Sequence, residues 1–380
     1  MAEPSAMRPS TRSSPSDPAF PTRRAFVGGA AVAGAVWALT YQPTLDRPWT
    51  RLTGKAPWSP RDGAALLAHN ERLWVFGGSA SNQILDVGDG WSSVNGIDWR
   101  KEVDRAAWTP SIQSMSVTFA GRLWRMGGFV VQGSQVLPIG EIWSSADGRT
   151  WTLATAAPAW RPRGGGALVV HNGRLWLLGG ARHPRNEGDQ PALGDVWSTE
   201  NGVDWTEVAA NAPWKPRAFH SVIVHNGRLW VMGGGHWGKN PMFYGDVWSS
   251  LDGIKWTEHS SKGAWPGRIW ATAASYGGLL WIMGGSIDRS RGGGTNDTWY
   301  SNDGRDWYPY LAAKPWPPRR AAHSSIVFND QLLALAGSDG DYFNDVWALK
   351  IQRDEVFPGS SLTRAQKWLY TTFKPKAFTR

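Results

Sequence analysis

Tryptophan recurs in this sequence at a spacing that few folds accommodate. Trp58, Trp108, Trp160, Trp214, Trp265 and Trp316 begin six successive stretches of about 50–54 residues that share one plan. A start similar to Trp-x-Pro-Arg leads to an apolar run such as "HSVIVH" (His220–His225). An Asn-Gly pair follows, then "RLWVMGG" (Arg228–Gly234), a loop of variable length, "DVWSS" and "IKWTE". These runs are short, rich in Val, Ile, Leu, Trp and Thr, and bounded by Gly, Asn, Asp and Pro, as strands are. Asn-Gly between two of them predicts a type I′ hairpin, because both turn positions need positive φ. Four strands in each of six units predict an all-β fold, a six-bladed β-propeller of four-stranded antiparallel blades spanning residues 45–351.

The repeat also says how such a ring would close. In five units a fourth-strand Trp precedes the next unit's first Trp by nine residues, as in Trp99–Trp108 and Trp256–Trp265. The sixth unit stops at Trp347 without that residue, yet Trp49 stands nine residues before Trp58. "RPWTRL" (Arg47–Leu52) is therefore expected to be an N-terminal strand that completes the last blade and leaves no open sheet edge. Of 27 tryptophans, 23 occupy four repeat-phased positions and are read as packing between blades. Trp237, in a long loop, and Trp270, near the start of an inner strand, are out of phase. Both are candidates for stacking on a sugar ring.

The turn between third and fourth strands, "SSLDGIKW" (Ser249–Trp256), is similar to the Asp-box of sialidases. An Asp-box has one residue between Asp and Gly, whereas Asp252 and Gly253 are adjacent, and Asn stands in the Asp position at Asn95 and Asn201. The segment is read as a second type I′ turn and not as a catalytic acid. The end of the second strand carries a more specific likeness. "VFGG" (Val75–Gly78), "RMGG" (Arg125–Gly128), "LLGG" (Leu177–Gly180), "VMGG" (Val231–Gly234) and "IMGG" (Ile282–Gly285) resemble Kelch repeats. So do the "DVW" and "DTW" segments at Asp195, Asp246, Asp297 and Asp345; "LALAGS" (Leu333–Ser338) departs from the pattern. The resemblance covers about residues 45–350. It implies a propeller, but no single activity.

The two ends differ from the repeats. The N-terminal region, residues 1–38, holds Arg23, Arg24 and Phe26, through which "TRRAFVGGAAVAGAVWALT" (Thr22–Thr40) resembles a bacterial twin-arginine export signal. A periplasmic or secreted protein is expected, or a membrane-anchored one where the signal is not cleaved. The net charge is +9, of which residues 1–44 carry +2 and residues 352–380 carry +4. The body therefore lacks the clustered basic face of a nucleic-acid binder. The tail, residues 352–380, is basic and aromatic and could touch a membrane surface.

The chain has no cysteine. That excludes disulfides, thiolate metal sites, a cysteine nucleophile and the Cys–Tyr crosslink of the copper-radical oxidases that share Kelch repeats. No metal-ligand spacing, phosphate loop or Gly-x-Ser-x-Gly elbow occurs, and no cofactor is called for. Candidate chemistry lies where first strands begin. An Arg occurs there in most units: Arg61, Arg163, Arg217, Arg268, and Arg319 or Arg320, with Ser111 in the second. Sixfold repetition would gather these guanidiniums at one channel mouth, suited to carboxylate recognition. In animal Kelch domains comparable arginines receive acidic peptides, and Kelch-type sialic acid mutarotases hold a carboxylated sugar. Alternatively, each Arg pairs within its own blade. His220 and His323 share one first-strand position and are candidates for acid/base or hydroxyl contacts. The variable loops add Tyr244, His183, Asp189, His236, Lys239, Asp288 and Arg291.

Three functional readings follow. The first is a monomeric binding module for an anionic carbohydrate or acidic peptide. The second is a cofactor-free mutarotase or epimerase on an acidic sugar, and the third a scaffold subunit of an envelope complex. Arginines clustered at an open mouth would favour binding; arginines paired within their blades would favour the scaffold.

Overall fold

The structure, a computed structural model, describes residues 48–80, 87–133, 135–183, 192–238, 240–288, 294–310, 316 and 321–351. All of them belong to one of the two units into which the chain divides, Pro43–Ser361. The export signal, Arg319, Arg320, Asp189, Lys239, Arg291 and the tail lie outside the described residues.

Every regular element among the described residues is a strand. Six four-stranded antiparallel sheets form, each pairing its strands in the order of one repeat. The fourth is typical: Ser221–His225, Arg228–Met232, Val247–Ser250 and Trp256–Ser260 pair in that order. The six first strands are Ala65–His69, Met115–Phe119, Ala167–His171, Ser221–His225, Thr272–Tyr276 and Ser324–Phe328. Each lies beside the first strands of both neighbouring blades, so the first strands ring the central axis. The chain is a six-bladed β-propeller.

In the sixth sheet Thr50–Thr53 pairs with Val346–Leu349, which pairs with Gln331–Leu335 and then Ser324–Phe328. Thr50 stands opposite Ala348 and Arg51 opposite Trp347. Trp49, 3% exposed, packs at 5.6 Å and 30° against Trp316. In the other blades the corresponding indoles meet edge-on, as Trp108 and Trp151 do at 4.8 Å and 90°. The strand completing this blade thus comes from the opposite end of the chain and sets its indole differently.

The first hairpin of each blade is type I′, with both central residues left-handed: φ is 47° at Asn226 and 68° at Gly227. The third-to-fourth-strand turn corrects the sequence reading. Only its glycine is left-handed, with φ 73° at Gly253, so it is not type I′. Asp252 Oδ1 instead accepts the backbone N–H of Ile254 at 2.9 Å and of Lys255 at 2.8 Å. Asn95 Oδ1 does the same for Ile97 and Asp98, both at 2.9 Å. What Asp and Asn share is this acceptor oxygen. The Gly253 Cα lies against the Trp176 indole of the preceding blade, where a Cβ would overlap the ring. Gly148, Gly202 and Gly304 seat on Trp74, Trp124 and Trp230 in the same way. The motif is a lock between blades.

Candidate functional site

Where the first strand begins in four of the blades, the backbone carries an Arg whose side chain turns onto the third strand of its own blade. Arg61, Arg163, Arg217 and Arg268 are fully buried. Arg217 donates from Nη1 and Nη2 to the two carboxylate oxygens of Asp246, each at 2.7 Å. Its Nη1 also reaches the Gly233 carbonyl at 2.7 Å and its Nε the Lys215 carbonyl at 2.9 Å. Arg61 holds Asp89, Arg163 holds Asp195 and Arg268 holds Asp297 with the same fork. Each of these aspartates also accepts an indole N–H, from Trp91, Trp197, Trp248 or Trp299. Burial works against ionisation of Asp246 and Asp297, but the paired guanidinium outweighs it and holds both carboxyls below the usual range. This corrects the expectation of an arginine-lined mouth. These four cations are compensated inside their own blades and staple the first strand to the third.

In the third and fourth blades the double glycine links the staple to the next blade. The first Gly gives its carbonyl to the Arg side chain of its own blade. The second donates its N–H to the Arg carbonyl of the following one, Gly234 to Arg268 at 2.8 Å. The second blade departs from this scheme. Its Ser111 replaces the Arg, and a guanidinium arrives instead from the second strand, as Arg125. Arg125 bonds from Nη2 to the Ser111 carbonyl at 3.0 Å and hydroxyl at 3.1 Å, donates to the Ser114 hydroxyl, and lies 4.8 Å from the Trp108 ring centroid.

Two residues beyond the staple position, one residue per blade adopts the left-handed conformation: Gly63, Gln113, Gly165, Phe219, Trp270 and Ala322. Their backbones bond around the axis. Gly63 N–H donates to the Ala322 carbonyl at 2.8 Å, Ala322 to Trp270 at 3.3 Å, Trp270 to Phe219 at 3.0 Å, Phe219 to Gly165 at 2.7 Å and Gly165 to Gln113 at 2.9 Å. A left-handed aromatic residue costs about 1–2 kcal/mol. Here it turns Phe219 and Trp270 onto an apolar cluster with Phe129, Ala218 and Ile269. Their rings lie 5.2 Å apart, and Trp237 backs Trp270 at 5.2 Å.

The hoop residues line a cavity of about 320 Å³. Arg125, Gln113 and Ser114 of the second blade line it, with Trp270 of the fifth, which stands opposite in a sixfold ring. His220, His323 and Asp62 also line it, with several serines. Asp62 accepts the Ser338 hydroxyl at 2.8 Å, and burial, against that bond, pushes its carboxyl up to about 6. His220 corrects the reading of an acid/base group active near neutral pH. Burial first, and then the Arg217 charge, against the pull of Asp246, lower its proton affinity to about 3, so it stays a neutral imidazole. His323 Nε2 meets the Thr272 hydroxyl at 2.7 Å. Tyr244 is not in the lining; it covers a staple, with the Arg217 guanidinium 4.8 Å from its ring centroid. His183, His236 and Asp288 do not line the cavity either. Among the described residues no group of three His, Asp or Glu could hold a metal ion.

Sequence reasoning thus named His220, His323 and Trp270 but missed Arg125, Asp62 and Gln113. Arg125 had a visible signal, since "RLWRM" breaks a position that is apolar in the other four double-glycine units.

No protein-family model matches the chain. It is 25% identical over 268 residues to Adagio-like protein 1 of Oryza sativa subsp. japonica, covering 61% of this chain and 41% of that protein. It is 25% identical over 214 residues to beta-scruin of Limulus polyphemus, covering 54% of this chain and 22% of that protein. The chain thus spans less than half the length of either curated relative. Among solved structures, that of YjhT superposes with a TM-score of 0.64 at 16% identity, covering 79% of this chain and 97% of that one, a likeness of fold. With its double-glycine strands and its ring of six blades, this chain is a Kelch-repeat β-propeller.

Proposed function

We propose that the protein is a ligand-binding module whose site is the central cavity, and that its ligand is a small anionic ring compound of the sugar-acid type. The observation that carries this reading is the opposition of Arg125 to Trp270 across one cavity. A guanidinium suits a carboxylate, and an indole face suits the apolar side of a sugar ring. A volume of about 320 Å³ lies at the small end of ligand pockets. The paired arginines taken alone suit a scaffold subunit; it is the cavity that favours a ligand. The test is calorimetric titration with D-glucuronate and D-glucose. Glucuronate should bind more tightly, and Arg125→Gln should remove that preference. Equal affinity for both sugars in the unmodified protein would refute the anionic reading.

A second reading, a mutarotase or epimerase, is favoured by Asp62, whose carboxyl titrates near neutrality within the cavity. It requires faster anomer exchange of a sugar acid, lost in Asp62→Asn. Export is proposed from Arg23, Arg24 and the apolar run after them. Replacing both arginines by lysine in a reporter fusion should abolish it.

A further inference from the structure

We infer that His220 is a specificity-determining residue of the cavity, a neutral hydrogen-bonding group that reads a ligand hydroxyl. The inference rests on the cavity being a ligand site, as proposed above. His220 is 7% exposed and lines the cavity. Both Nδ1 and Nε2 are buried, and neither has a hydrogen-bonding partner among the described residues. Buried polar atoms in folded proteins are almost always paired, so an imidazole unpaired at both nitrogens needs an explanation.

The fold does not require it. The equivalent positions in the other blades are Ala64, Ser114, Gly166, Ala271 and His323. His323 shows how one imidazole nitrogen is answered here: the preceding blade supplies Thr272, whose hydroxyl meets Nε2 at 2.7 Å. The preceding blade's residue in the same register before His220 is Ala167, which has no hydroxyl. The same chain therefore answers Nε2 of His323 and leaves both nitrogens of His220 unpaired.

The imidazole is also held in place. Gly179 of the third blade approaches closely enough that a Cβ there would lie 3.1 Å from His220 Cε1, and a Cβ on Gly234 would overlap His220 Cβ. The Trp214 ring lies 6.2 Å away on a tilted face. Burial, and after it the Arg217 charge against the pull of Asp246, keeps the imidazole neutral, so it offers one N–H and one lone pair. A hydroxyl can answer either nitrogen, donating to one or accepting from the other. A carboxylate can only accept, and would leave the lone pair unanswered. The anion thus belongs at Arg125 and a hydroxyl at His220, which fits a hydroxylated ring better than a bare organic acid.

The test uses three probes on the whole chain: D-glucuronate, D-glucose and cyclohexanecarboxylate, which keeps the ring and the acid but has no hydroxyl. Imidazole ¹⁵N shifts of His220 are followed alongside calorimetric affinities. Both sugars should move the His220 shifts, and cyclohexanecarboxylate should not. His220→Leu should weaken glucuronate at least tenfold and leave cyclohexanecarboxylate unchanged. Ala167→Thr, which supplies the missing hydroxyl, should reproduce that loss. Neither variant should lower the melting midpoint, as loss of a structural histidine would. Unmoved His220 shifts with both sugars, or an unchanged preference for glucuronate over cyclohexanecarboxylate in His220→Leu, would overturn the inference. If the anionic reading alone fails, glucose still moves His220 while Arg125→Gln changes nothing.

Discussion

Arg217→Met separates a staple from a ligand contact. The substitution keeps an unbranched, apolar stem and removes a guanidinium that is 0% exposed. It deletes both bonds to Asp246 and those to the Gly233 and Lys215 carbonyls. Asp246 keeps the Trp248 indole N–H at 2.8 Å but loses the charge that offsets its burial. Breaking a buried ion pair from one side costs roughly 3–5 kcal/mol, because the other charge is left uncompensated. At roughly 2 °C per kcal/mol for a large domain, the melting midpoint should fall by about 6–10 °C. Removing both charges, as Arg217→Met with Asp246→Leu, leaves no orphaned charge, and at least half of the loss should return. Thermal and urea unfolding of the two single variants and the double variant give this cycle. A double variant as unstable as the sum of the singles would refute the argument. Glucuronate affinity of folded Arg217→Met should match that of the unmodified protein; a large drop would return this arginine to the site.

Two other outcomes are expected. Deleting residues 48–54 removes the strand that completes the sixth blade and buried Trp49, and should unfold the ring or lower its melting midpoint sharply; an unchanged midpoint would show that closure does not depend on it. Asp62 tests the cavity's electrostatics through pH. Its folded value of about 6 lies above the roughly 3.9 of an unfolded carboxyl. The stability it contributes is therefore complete below the unfolded value and is lost as pH rises through about 6. Asp62→Asn should thus melt above the unmodified protein at about pH 8, with the gap closing by about pH 4. A gap that does not change with pH would contradict the shift.

The repeat was legible because its causes are local. Strand patterning, Asn226-Gly227 hairpins and nine-residue Trp spacing all act over short stretches, and counting them gave six blades and pointed to Trp49. The roles of the Asp252 turn and of the arginines were not legible in the same way. Whether Arg217 faces the axis or Asp246 depends on a partner 29 residues away and on which side of the first strand the side chain leaves. The left-handed turn at Phe219 and Trp270 is invisible in the sequence, since nothing local favours an aromatic residue there; the hoop and the apolar cluster beneath it impose that conformation.

His220 and His323 show the same division. In the sequence they are one position repeated, and the neighbouring blade's residue, Thr272 or Ala167, decides whether Nε2 meets a hydroxyl. By itself the sequence determined the number of blades and the order of their strands, because those follow from periodicity. Tertiary structure decided which charges are spent on the scaffold and which face the cavity, because a buried charge takes its meaning from what packs against it.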